Sequence, residues 1–91
     1  MEMFEYDARK SMANLEKRGI DFREAQELWL DPGIVEFRLC HSGERRWGAI
    51  ARLRDGLWTA IFTIRGEKIC FISVRRSTMK EVSFYDKAND R

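Results

Sequence analysis

RRWGAIARLRDGLWTAIFTIRGEKICFISVRR, residues 45–76, decides the fold. Apolar and polar side chains alternate through it with a period of two, the spacing of strands that turn one face to a core. Turn residues divide it into strands over 45–53, 57–65 and 69–75. Asp55-Gly56 is a strong hairpin signal, and a two-residue loop there pairs Arg54 with Leu57, Arg52 with Thr59 and Arg46 with Arg65. That register puts Trp47, Ala49, Ala51 and Leu53 beside Trp58, Ala60, Phe62 and Ile64 on a core face. The other face carries Arg46, Gly48, Ile50 and Arg52 beside Thr59, Ile61, Thr63 and Arg65 and is expected to lie outside the core. At Gly66 a two-residue loop would place Cys70, Ile72 and Val74 on the arginine face. A three-residue loop over 66–68 places them on the core face and gathers Phe71, Ser73 and Arg75 beside Thr63 and Arg65. The second completes an all-apolar core side and is preferred.

Working outward, the period is still two over 34–40, a further strand after Pro32. Upstream it changes to about 3.6. Asp7 sits where an N-cap belongs and Lys17, Arg18 and Gly19 where a helix ends, which predicts a helix over 8–18. Asp21 with Glu24 reads as a capping box before a second helix, whose Phe22, Ala25, Leu28 and Trp29 form an apolar stripe ended by Asp31-Pro32. A short extended start covers 3–6. Downstream, Thr78 with Glu81 opens a last helix to about residue 87, with Val82, Phe84 and Tyr85 packing. The order is β-α-α-β-β-β-β-α: an α+β fold with a mainly antiparallel four- to five-stranded sheet packed on helices, in one domain spanning 1–91.

With 44% apolar and 12% aromatic residues, the 91-residue chain holds enough material for a core without disulfide or metal staples. Cys40 and Cys70 lie in apolar runs with no CxxC spacing and no cluster around His41, the only histidine, and read as buried, reduced thiols. No apolar run reaches membrane-spanning length and the N-terminal order is not that of a signal peptide, so the expectation is a cytoplasmic protein with no membrane contact, metal or cofactor. The net charge of +2 says little, but its distribution says more. Between Arg38 and Arg76 nine basic residues face three acidic ones, and eight of the nine are arginines, whose planar fork suits a phosphate.

No phosphate-binding glycine loop, GxSxG elbow or HExxH helix is present. What remains is the arginine face, where Arg46, Arg65 and Arg75 could converge on one phosphate, with hydroxyls from Thr63 and Ser73. RNA can be cleaved by attack of its own ribose 2′-hydroxyl, so a protein need only align the chain and stabilise the developing charge. For the proton transfers the sequence offers His41, Glu44 and Glu81, with Tyr85 one helical turn beyond Glu81. Each also has a plainer reading: an exposed turn histidine, a capping glutamate, a packing tyrosine. Trp29, Trp47 and Trp58 read as core residues rather than platforms for bases.

Phe4-Glu5-Tyr6-Asp7, Lys10, Asn14, Lys17-Arg18-Gly19-Ile20, Phe22 and Glu24-Ala25 are followed by His41-Ser42, Glu44-Arg45-Arg46, Phe62-Thr63-Ile64-Arg65-Gly66, Ile72 through Ser77, Glu81 and Tyr85. In this order and spacing the chain resembles the BrnT family of bacterial type II toxins, RelE-like ribonucleases encoded beside an antitoxin called BrnA. The resemblance implies a RelE-like fold and an mRNA-cleaving activity that arrests growth. It also implies a BrnA-like antitoxin as partner, with operator DNA reached only through that antitoxin. Carried over by position, the catalytic residues would be Thr63, Arg65, Ser73 and Arg75, with Arg46 alongside; Lys17, Arg18, His41 and Arg76 are the further candidates for binding substrate RNA, and Glu44, Glu81 or Tyr85 for moving protons. The family's usual Lys-His-Gly is Lys17-Arg18-Gly19 here, which keeps a cation and loses an imidazole. A competing expectation is a non-enzymatic protein-binding module acting with a DNA-binding partner. An RNA-recognition motif fits poorly, because its two βαβ halves do not match four consecutive strands.

Overall fold

Two residue choices fix the first helix. The Asp7 carboxylate accepts the backbone amides of Arg9 and Lys10 at 2.7 and 3.3 Å, and Gly19 takes a left-handed φ of +82° while its amide closes on the Leu15 carbonyl. The helix, α1 (Ala8–Arg18), therefore has the predicted bounds. The computed structural model describes residues 3–41 and 43–90, the side chain of His41 excepted. The remaining elements are β1 (Met3–Glu5), α2 (Phe22–Ala25) running into a 3-10 turn (Gln26–Leu30), β2 (Val35–His41), β3 (Glu44–Leu53), β4 (Gly56–Arg65), β5 (Lys68–Arg76) and α3 (Met79–Ala88). Among the described residues no helix is long and apolar enough to cross a membrane.

The predicted second helix is a single α-turn capped by Asp21, then 3-10 geometry up to Asp31. Asp31 precedes Pro32 and is extended, as the proline ring requires. The sheet is mixed rather than mainly antiparallel. Its order is β1-β5-β4-β3-β2, and β1 runs parallel to β5 while the other three pairings are antiparallel.

Two registers differ from the sequence reading. Arg52 pairs with Leu57 and Leu53 with Gly56, so the first hairpin is shifted by two residues and turns through Arg54-Asp55, with the positive φ of +57° on Arg54. Gly56 serves another purpose: a Cβ there would overlap the Arg76 guanidinium, which lies 4.4 Å over the Trp58 ring. A shift of two preserves the faces, so Ala49, Ala51, Ala60 and Phe62 are buried as expected.

The second hairpin combines both alternatives. Arg65 pairs with Lys68 and Thr63 with Cys70 around a two-residue turn, but Phe62 pairs with Phe71 and Ile61 with Ser73, leaving Ile72 as a bulge. Phe71 and Val74, three apart, are thus both buried, whereas Cys70 is drawn to the arginine face. Cys40 is exposed on edge strand β2, not buried, and both thiols are free.

The main core lies between the sheet and α1 with α2, where Ile20, Phe22, Ala25 and Leu28 meet Ala49, Ala51, Ala60, Phe62, Phe71 and Val74. Asn14 is buried here; its amide donates to the carbonyls of Ile20 and Val74 and accepts from the Val74 amide, standing in for a strand beyond the end of β1. The arginine face is not free of core either. Ile50, Leu57 and Tyr85, flanked by Val35, Phe37 and Val82, form a second cluster under α3. Asp31 joins the layers: its carboxylate accepts the Gly33 amide at 2.8 Å and the Arg52 amide and Tyr85 hydroxyl at 2.7 Å each. Burial opposes its charge, but these three donors outweigh that and hold its pKa below the usual value.

Candidate active-site cleft

Strand register fixes where each side chain of the arginine face can act. Along β4 and β5 the successive rungs on this face are Arg65–Lys68, Thr63–Cys70, Ile61–Ser73 and Thr59–Arg75. Gly48 of β3 lies beside Ile61, and Arg46 is two residues before it on the same face. Thr59 and Thr63 are four residues apart, about 13 Å at strand rise. Arg46, Thr63 and Arg65 therefore gather at one end of the face and Arg75 at the other, with Ser73 between.

The first group lines an open cleft of about 400 Å³ shared with Glu44, Cys70, Tyr6, Asp7 and Lys10. The Arg46 Nε donates to Glu44 Oε1 at 2.7 Å, and the glutamate stays half exposed. Arg65 is exposed and has no salt bridge among the described residues. The Cys70 thiol is pushed up in pKa, first by burial and then by the Glu5 carboxylate to which it donates at 3.4 Å, so it is not a thiolate nucleophile at neutral pH.

At the other end Arg75 is occupied. Its Nη1 and Nη2 donate to the two oxygens of Glu81 at 2.7 and 3.0 Å, and the same carboxylate accepts the Thr59 hydroxyl and the Thr78 amide. Burial works against the Glu81 charge, but the Arg75 fork, the Thr78 amide and the Thr59 hydroxyl hold its pKa at about 2. A carboxylate that acidic is a weak base near neutrality. The capping box read from sequence is present, with Thr78 and Glu81 bonding reciprocally. Tyr85 is buried, and its hydroxyl donates to Asp31.

Lys17, Arg18 and Arg76, expected to bind substrate, do not line the cleft that holds Arg46, Thr63 and Arg65. Arg18 and Arg76 line a separate hollow with Arg54 and Trp58, and Arg76 also approaches Asp55 at 3.7 Å. Lys17 is exposed on the last turn of α1. His41 pairs with Glu44 through β2 and β3, and its side chain, with Ser42, lies outside the described residues. Sequence reasoning missed Tyr6, Asp7 and Lys10 as cleft residues, because only the parallel pairing of β1 with β5 brings them there.

The cleft can align a phosphodiester by arginine forks and a hydroxyl, with a carboxylate at hand for a proton. No match was found among curated proteins. Residues 6–81 match the family model described as the ribonuclease toxin BrnT of type II toxin-antitoxin systems, a span from the entry to α1 through the first turn of α3, and the chain belongs to that family.

Proposed function

We propose that this chain is the growth-arresting endoribonuclease of a toxin-antitoxin pair, a single RelE-like domain over 1–91 that cleaves mRNA in the cytoplasm without a metal. The observation that carries this is the convergence of Arg46, Thr63 and Arg65 with the Glu44 carboxylate in one cleft. Glu44 takes the proton of a ribose 2′-hydroxyl; that oxygen bonds to the adjacent phosphorus, and the bond to the 5′-oxygen breaks. The products are a 2′,3′-cyclic phosphate and a 5′-hydroxyl, protonated from water or a cleft donor. Arg46 and Arg65 stabilise the charge that builds on the phosphoryl oxygens, and Thr63 donates to one of them. Arg75 instead anchors α3 through Glu81. A BrnA-like antitoxin is the proposed neutralising partner, with operator DNA bound only through it, a reading that rests on family membership.

The test is incubation of purified protein with single-stranded RNA in EDTA. Arg46→Ala and Arg65→Ala should each lower the rate about 10²- to 10³-fold, by analogy with oxyanion-hole donors. Cleavage by the wild type no faster than by Arg65→Ala would refute the reading. Co-purification with a DNA-binding partner and no cleavage would point to a non-enzymatic protein-binding module.

A further inference from the structure

The acidic residues of the cleft are already engaged. Asp7 caps α1, Glu5 accepts from Cys70 and faces Lys68 at 3.6 Å, and Glu44 holds Arg46. Two exposed cations, Arg65 and Lys10, line the same cleft and have no salt bridge among the described residues. They enter from different walls. Arg65 comes from β4, whereas Lys10 comes from the first turn of α1, just after edge strand β1. Nothing in the packing requires the Lys10 ammonium: its backbone amide completes the Asp7 cap and its side chain is exposed.

We propose that Lys10 is a substrate-contacting residue that grips an RNA phosphate neighbouring the reacting one, so that the RNA path runs from β3 and β4 across to the β1–α1 junction. The proposal rests on the ribonuclease reading. In sheet order β1, β5, β4, β3, the wall bearing Lys10 lies about 14 Å from that bearing Arg46 at ordinary strand spacing. One phosphate is therefore not shared by the two, and Lys10 contributes to holding the chain rather than to the chemical step.

The test uses the full chain with two probes: a cleavable single-stranded RNA, and the same RNA blocked by 2′-O-methylation. Lys10→Gln should weaken binding of the blocked RNA about tenfold and flatten its logarithmic salt dependence by about 0.7, one single-strand phosphate contact. The cleavage rate at saturating RNA should hardly move, Lys10→Arg should restore binding, and Lys87→Gln, a like change of charge near the end of α3, should leave binding unaltered. Wild-type cleavage with unchanged affinity and salt slope in Lys10→Gln overturns the Lys10 assignment and leaves the ribonuclease reading standing. Binding by the wild type without cleavage, but weakened in Lys10→Gln, supports Lys10 and overturns the ribonuclease reading. If the wild type neither binds nor cleaves RNA, both fall.

Discussion

Replacing Glu81 by glutamine should remove a pH-dependent share of the protein's stability. Glu81 has a pKa of about 2 in the folded protein against an ordinary 4.5. At 1.36 kcal/mol per pH unit that difference is about 3 kcal/mol. The carboxylate is 18% exposed, and solvent screening trims the figure to about 2 kcal/mol. Because the folded value is depressed, the contribution is complete above pH 4.5 and is lost as pH falls from there through 2. Urea unfolding of wild type and Glu81→Gln at a series of pH values checks this, since the other carboxylates are common to both proteins. The gap in unfolding free energy should be about 2 kcal/mol at pH 7 and should close between pH 4.5 and 2. A gap that stays constant over that range, or no gap at pH 7, would show that the Arg75–Glu81 pair does not anchor α3 as described.

Asn14→Ala should cost about 3 kcal/mol in urea unfolding, because it leaves the amide and carbonyl of Val74 and the carbonyl of Ile20 buried without their partner. Gly48→Ala should cost about 2 kcal/mol, since the added methyl would run into the Phe37 ring, and a small shift in midpoint would mean that the ring moves freely. Tyr85→Phe should lose about 1 kcal/mol through its bond to Asp31 and keep the RNA cleavage rate of the wild type; a large fall in rate would instead make Tyr85 an acid or base of the reaction.

Local signals were legible where one residue type suffices. Asp7 and Gly19 bound α1, and Thr78 with Glu81 opens α3, because caps act within one turn of chain. The strand faces were legible too, since a two-residue slip in the first hairpin leaves inward residues inward. Two things were not. The Ile72 bulge depends on Phe71 and Val74 both finding space in the core, a matter of packing rather than period. The second apolar cluster needs α3 laid across Ile50 and Leu57, which no local pattern announces. The candidate site was half legible: Arg46, Thr63, Arg65 and Glu44 come together, but Arg75 does not, because charge counting cannot foresee that Glu81 claims it.

The parallel strand β1 has a consequence for the order in which the molecule comes into being. Its three residues pair only with Lys68, Ile69 and Cys70, and one wall of the cleft follows directly from it. During synthesis the N-terminal segment must therefore wait, unpaired, until Lys68, Ile69 and Cys70 have been made. The other wall forms earlier, from the first long hairpin, but a nascent chain cannot close the cleft before β5 emerges.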